Sequence, residues 1–348
     1  MTGSLTRREF LKLVGLSFAG AFIPIGEPDS FPALQRQITD APMMGRVTRR
    51  SIDVRSQPDP ASPRLYKAER DTLLHLLEEV SSSTGPPDNP RWYRLSQGYV
   101  HSAHIQRVEQ AHLNIPLRQI PQTGLLAEVT VPYTQTIFTN RRNQTLKLYR
   151  LYYQSVHWIT ALVEGSDGSP WYRLSDERLR VHYDAPAAHL RPLPTAEFEP
   201  YAAANPEMPR HIEVSLADQM LFAYEGDQLV FHTRISSGRR YMETPTGEFV
   251  INRKYSSKHM GDGGLTSNQN AYELVGVPWV SFFHTTGVAF HGTFWHDNFG
   301  TPMSQGCVNM RNEDARWLFR WSSPAYPTDL DFHNGRKLAA AGTRVIVR

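Results

Sequence analysis

Cys307 is the single cysteine in 348 residues. It ends the run Ser304-Gln305-Gly306-Cys307, sixteen positions after His291. A lone thiol has no intrachain partner for a disulfide. Its chemistry is that of a nucleophile or a metal ligand, and a nucleophilic thiol needs a base to take its proton. His291 closes the apolar run Val288-Ala289-Phe290 and is the candidate base. Proton transfer from thiol to imidazole would give an ion pair able to attack a carbonyl. Gly306 lets the chain turn tightly and a substrate come close. The amides of Gly306 and Cys307 are candidate donors to the oxyanion of a tetrahedral intermediate. His291 needs a partner for its second ring nitrogen, and the Gly292 carbonyl is a candidate. The competing reading is a zinc site drawn from His284, His291, His296 and Cys307. Only His291 and His296 stand at the close spacing such sites use, so no metal is expected. Alone, a buried cysteine is often an inert small hydrophobe and a histidine a satisfied polar residue. The two together, in a glycine turn after a strand, favour chemistry.

These side chains need strands to position them, and the pattern from residue 211 onward supplies them. Ile212, Val214 and Leu216 alternate with polar residues. Residues 220–224 and 229–232 flank Glu225-Gly226-Asp227, a hairpin signal. Residues 247–251, 288–290 and 343–347 read as further strands. Asn312 reads as the N-cap of a helix, with Glu313 and Asp314 in its first turn and Trp317, Leu318 and Trp321 on one face. Residues 256–270 are polar and glycine-containing, either a lid or a plain connection.

Upstream, Trp92-Tyr93-Arg94-Leu95-Ser96 recurs 79 positions later as Trp171-Tyr172-Arg173-Leu174-Ser175. Each copy follows a Pro/Gly/Ser-rich turn and precedes a small tail, Ser102-Ala103-His104-Ile105 or Ala187-Ala188-His189-Leu190. This is an internal repeat of short strands, and its Trp-Tyr pair reads as packing rather than catalysis. The two units resemble bacterial SH3-like barrels, which implies binding to peptides or wall polymers. Five prolines in residues 191–210 predict a stiff spacer. At the start, Arg7-Arg8-Glu9-Phe10-Leu11-Lys12 and the modest apolar run 13–25 resemble a twin-arginine export signal. That run is shorter than the roughly 20 residues of a spanning helix, so residues 1–25 are either a removed signal or a short membrane anchor. The net charge of +3 is far below a nucleic-acid footprint, and the 40% hydrophobic content is that of a globular chain.

Residues 211–348 resemble an L,D-transpeptidase catalytic domain of the YkuD type. The resemblance rests on the opening strand pair, on Ser236-Ser237-Gly238, on Thr244-Pro245-Thr246-Gly247-Glu248-Phe249, on His291-Gly292, and on Ser304-x-Gly306-Cys307-Val308. It implies that Cys307 is the acyl-accepting nucleophile and His291 the base and then the acid. Gly292 then orients His291, Ser304 and Asn309 shape the site, and Trp295 lines the substrate groove. Two positions depart from the common family pattern: Gln305, often His or Arg, and Asn309, often Arg. Both bear on contacts to the acyl donor. The expected architecture is mainly β: a signal or anchor (1–25), a tether (26–45), SH3-like repeats (46–110 and 125–192), a proline-rich linker (193–210) and the catalytic domain (211–348), with one helix after the cysteine. The implied activity is an exported, cofactor-free cysteine acyltransferase of the cell wall. It would act on peptidoglycan stem peptides, release D-alanine, and be acylated by carbapenem-type β-lactams. The alternatives are an L,D-carboxypeptidase, with water as acceptor, and a non-catalytic wall-binding protein.

Overall fold

The computed structural model describes residues 43–165, 167–201, 208–327 and 342–348. The signal at 1–25, nearly all of the tether, and residues 202–207 of the linker lie outside them. The described chain is mainly β, with one α-helix.

The first unit holds β1 (Met43–Val47), β2 (Ser51–Arg55), β3 (Arg64–Glu69), β4 (Leu73–Leu76), β5 (Glu78–Ser81), β6 (Arg91–Arg94), β7 (Tyr99–His101) and β8 (Ile105–Val108). They form two sheets, β4-β1-β8 and β3-β2-β7-β6-β5. The second unit holds β9 (Leu125–Val129), β10 (Tyr133–Thr139), β11 (Thr145–Tyr152), β12 (Val156–Glu164), β13 (Pro170–Asp176), β14 (Val181–Pro186) and β15 (Leu190–Pro192). These lie in one sheet, β11-β10-β14-β13-β12-β9-β15. Among the described residues the pairing closes neither unit into a barrel. The repeat is visible in three dimensions. Its two copies fall on β6 and β13, and Tyr93 and Tyr172 are fully buried in the respective cores. The two tails form matching 3-10 turns, Ser102–His104 and Ala187–His189.

The third unit holds β16 (Arg210–Ser215), β17 (Met220–Glu225), β18 (Gln228–Arg234), β19 (Gly247–Val250), β20 (Arg253–Gly261), β21 (Glu273–Phe282), β22 (Ala289–Gly292), β23 (Val308–Met310), α1 (Asn312–Trp321) and β24 (Arg344–Val347). One sheet runs β18-β17-β16-β24-β19 and the other β20-β21-β22-β23. Their core joins Val214, Leu221, Phe290, Val308, Leu318 and Val345. β21 is buried on both faces over most of its length, so it reads as an apolar run without alternation. α1 begins one residue earlier than expected: Arg311, not Asn312, is its N-cap, and no side chain caps it. Lys254 closes the other end, its buried Nζ donating to the Phe319 and Ser322 carbonyls.

The proline-rich segment is not a free spacer. Leu193 and Phe198 are buried in the core of the third unit, and Glu197 pairs with Arg316 of α1 at 2.9 Å. The apolar side chains in that stretch override the extended tendency of its prolines. Both amino-terminal units pack on the third. Arg46 donates to the Phe294 carbonyl at 3.0 Å, and Arg91 pairs with Asp297 at 3.2 Å. In the second unit, His157 lies against Gly276 of β21, where a Cβ would sit 2.3 Å from the ring. Gly276 also has φ +77°, so both space and backbone require glycine there.

Candidate active site

Parallel pairing of β22 with β23 builds the site. The register sets Phe290 opposite Val308, His291 opposite Asn309 and Gly292 opposite Met310. Paired residues point to the same face of a sheet. Cys307 is the last residue of the turn that leads into β23. His291 and Cys307 both line one cavity of about 370 Å³. Trp295, Ser304, Gln305 and Asn309 line it too, so it gathers every side chain assigned to the substrate from the sequence. It also takes in Arg239, Met260, Tyr272, Leu274 and Met303, which sequence reasoning missed. Met260, Tyr272 and Leu274 arrive through pairing of β20 with β21, a relation between distant segments. Arg239 follows the Ser236-Ser237-Gly238 stretch, which was the available signal for it.

His291 Nδ1 lies 3.0 Å from the Gly292 carbonyl oxygen. A carbonyl only accepts, so Nδ1 carries the hydrogen and Nε2 holds the lone pair. Burial lowers the imidazole to about 4, against the opposing pull of the Gly292 carbonyl. Burial raises the Cys307 thiol above its ordinary range, while a hydrogen bond from the Ala289 backbone opposes it. Each group is thus held in its neutral form. The resting ion pair expected from the sequence is not favoured here, because a buried site penalises both charges. Cys307 Sγ donates to the Gly287 carbonyl at 3.8 Å.

The turn before Cys307 is cross-braced. Gly306 has φ +118°, which a side chain would strain. Its amide donates to Ser304 Oγ at 3.0 Å, and Ser304 Oγ donates to the Cys307 carbonyl. The Gly306 amide, expected to face an oxyanion, is therefore engaged by Ser304, because the tight turn brings that hydroxyl back onto it. Thr244 Oγ1 accepts from the Gly238 amide at 2.9 Å and donates to the Gly306 carbonyl at 2.8 Å. A ladder joins the same segments: Ser236 and Asn309 exchange both backbone hydrogen bonds at 2.9 Å. Trp295 leans over His291 with ring centroids 5.6 Å apart.

The residues 256–270 expected as one long loop divide in two. Residues 256–261 complete β20, and β21 begins at Glu273. His284 and His296, weighed as metal ligands with His291 and Cys307, are engaged within the chain. His284 Nδ1 bonds Thr286 at 2.8 Å, and His296 bonds the Asn298 amide and the Asn309 side chain. No helix among the described residues is long and apolar enough to cross a membrane.

Residues 209–347 match the model of the YkuD family, the L,D-transpeptidase catalytic domain. A Bacillus licheniformis protein named as an L,D-transpeptidase, YkuD, is 33% identical over 112 residues, which are 32% of this chain and 59% of that protein. The chain thus spans less than two thirds of the curated relative it matches. Among solved structures, the catalytic domain of the E. faecium L,D-transpeptidase is 23% identical, covering 41% of this chain and 100% of that one, with a TM-score of 0.29. L,D-transpeptidase 3 of Mycobacterium tuberculosis, solved with a faropenem-derived adduct, is 17% identical, covering 49% and 74%, with a TM-score of 0.30. At residues 209–347 the chain matches the L,D-transpeptidase catalytic domain family.

Proposed function

We propose that the protein is an exported L,D-transpeptidase that forms peptidoglycan cross-links through a thioester on Cys307. The observation that carries this reading is the one cavity shared by His291, on β22, and Cys307, at the entry to the parallel strand β23. With Nδ1 hydrogen-bonded to Gly292, His291 offers Nε2 to the thiol proton. Because both groups rest neutral, the proton moves as sulfur attacks rather than beforehand. The S–C bond forms at the carbonyl of the third stem residue. The C–N bond to the terminal D-alanine then breaks, and the imidazolium returns its proton to the leaving amine. An amine of a neighbouring stem gives a proton to His291 as it attacks the thioester, the C–S bond breaks, the proton returns to the Cys307 sulfur, and a 3→3 cross-link results. The guanidinium of Arg239, with no carboxylate partner among the described residues, is placed to receive a carboxylate of the substrate.

The finer parts of the reading extend to the rest of the chain. Residues 1–25 direct export by the twin-arginine route and leave the protein at the wall or anchored beside it. The two amino-terminal units act as SH3-like wall-binding modules. Carbapenem-type β-lactams acylate Cys307. Intact mass after meropenem treatment tests the central assignment: the wild type gains the mass of the drug and Cys307→Ala does not. Equal labelling of the two would remove Cys307 from the mechanism. Incubation with a tetrapeptide stem should likewise yield a thioester with loss of D-alanine.

A further inference from the structure

Asp71 stands where the three units meet. Its side chain is 4% exposed, and Arg46 Nη1 of β1 pairs with one of its oxygens at 2.8 Å. The other oxygen pairs with Arg150 of β11, in the second unit, at 2.6 Å. The third unit reaches it through Gln269. Oxygen and nitrogen of an amide are assigned by their partners. On that rule the Gln269 amide donates to Asp71 Oδ2 at 3.2 Å and accepts from Arg150 Nη2 at 2.9 Å. Arg70, the neighbour of Asp71, donates to the Gln269 carbonyl at 2.5 Å. Arg46 in turn donates from Nη2 to the Phe294 carbonyl at 3.0 Å, and its guanidinium carbon lies 3.9 Å from the centroid of the Tyr152 ring.

This cluster backs the cavity of His291 and Cys307. Leu274 and Trp295 line that cavity, and they also line a second, smaller space of about 80 Å³. Arg46, Arg70, Arg150, Gln269 and Phe294 line the smaller space as well. Phe294 meets Trp295 edge-on with ring centroids 5.0 Å apart, and Trp295 leans over His291. Gln269 lies inside a turn that the Ala271 amide closes on the Asn268 carbonyl at 3.1 Å. The residue after that turn is Tyr272, which lines the cavity.

We propose that Asp71 is a positioning residue for the acyl donor. Through Arg46 it fixes Phe294 and Trp295, and through Gln269 it fixes the turn that leads to Tyr272, so the first two units complete one wall of the active site. This rests on the acyl-transfer reading above. Apolar side chains of similar volume would join the units as firmly as a buried ion cluster. Hydrogen-bonded charges add fixed directions, which a wall that faces a substrate requires. With the cluster broken, Leu274 and Trp295 have a space of about 80 Å³ to retreat into.

Steady-state release of D-alanine from a tetrapeptide stem tests this, beside alkylation of Cys307 by iodoacetamide, a reagent too small to need the wall. Asp71→Asn keeps the shape but turns an amide N–H₂ toward a guanidinium. Its KM should rise about 10-fold while kcat and the alkylation rate stay within about threefold, the reach of a residue that acts through others. Gln269→Leu, which removes only the side-chain contact from the third unit, should raise KM about fivefold with the same split. A wild-type KM in Asp71→Asn overturns the proposal and leaves the acyl-transfer reading intact. So does an equal fall in kcat and alkylation, the mark of a general loosening. Should Asp71→Asn not fold, Gln269→Leu decides by the same criterion. A wild type that releases no D-alanine removes the acyl-transfer reading and this proposal with it.

Discussion

Thr244 donates its hydroxyl hydrogen to the Gly306 carbonyl at 2.8 Å, and so ties the Thr244-Pro245-Thr246-Gly247 stretch to the residue just before the cysteine. The same oxygen accepts the Gly238 amide. One buried hydroxyl thus sets the relative position of three segments, two of which line the cavity through Arg239 and through Ser304, Gln305 and Cys307. A valine has the shape of threonine but leaves both backbone groups unpaired.

Thr244→Val should therefore destabilise the protein by about 2 kcal/mol, the cost of stranding buried backbone groups. Thr244→Ser should retain most of the stability. Differential scanning calorimetry of the three proteins checks this, with a drop of several degrees expected for valine. A valine variant that melts with the wild type would show that the turn stands without the brace.

Much of the site was legible because its signals are local. Gly306 and Cys307 follow one another in the chain, and His291 ends a strand that the apolar run already marks. Other parts depend on pairing that no window of sequence contains. Met260, Tyr272 and Leu274 reach the cavity only because β20 folds onto β21. β21 itself gives no alternation, since a strand covered on both faces has no polar side. The proline-rich segment misled for a similar reason. Its prolines argue for extension, while Leu193 and Phe198 have a buried place to go that only the folded third unit provides. The units before it were legible as a repeat, through Tyr93 and Tyr172, but not in the arrangement of their sheets.

Burial opposes charge on both partners of the dyad, and this has a kinetic signature. Cys307 is raised above its ordinary range and His291 is lowered to about 4. Iodoacetamide alkylation should rise with pH through the neutral range and beyond about 8.5, with no plateau near neutrality. Turnover, by contrast, needs the neutral base, so its acid limb should fall near pH 4 rather than near the ordinary histidine value. A flat alkylation profile from about pH 6 to 8, the mark of a preformed thiolate, would contradict this.

Several buried imidazoles should make the protein acid-labile. Burial lowers His157 and His296 to about 3, and His104 and His291 to about 4. In the unfolded chain each would titrate near 6.5. Between those values the unfolded state binds more protons than the folded one, so stability falls as pH falls. The contribution is fully present above about 6.5 and is lost progressively down to about 3–4. Melting temperature should decline steadily across that window, and His157→Gln should flatten the decline. A melting temperature constant from neutrality to pH 4 would sink the assignment of neutral rings, given the ~6.5 reference.

His259 carries the opposite sign. Its Nδ1 lies 2.5 Å from Asp176 of β13 and its Nε2 2.6 Å from Glu273 at the start of β21, with all three side chains buried. The two carboxylates outweigh desolvation and raise the imidazole, while Asp176 is lowered by its His259 and backbone hydrogen bonds despite burial. Here the folded state binds more protons than the unfolded one. The stabilisation is fully present below about 6.5 and is lost as pH rises through the raised folded value. Glu273 also accepts the Gly264 amide, and its neighbours Tyr272 and Leu274 line the cavity that holds His291 and Cys307. The pair therefore joins the second unit to the wall of the site. His259→Gln leaves two buried carboxylates facing a neutral group and should cost about 3 kcal/mol, in the range for breaking a buried pair. Hydrogen exchange in residues 261–272 should quicken in this variant, and in the wild type on the alkaline side. Because the loss falls on a wall of the cavity and not on Cys307 or His291, KM should rise more than kcat falls. Unchanged exchange in that segment would show that the second unit is not held to the site through His259.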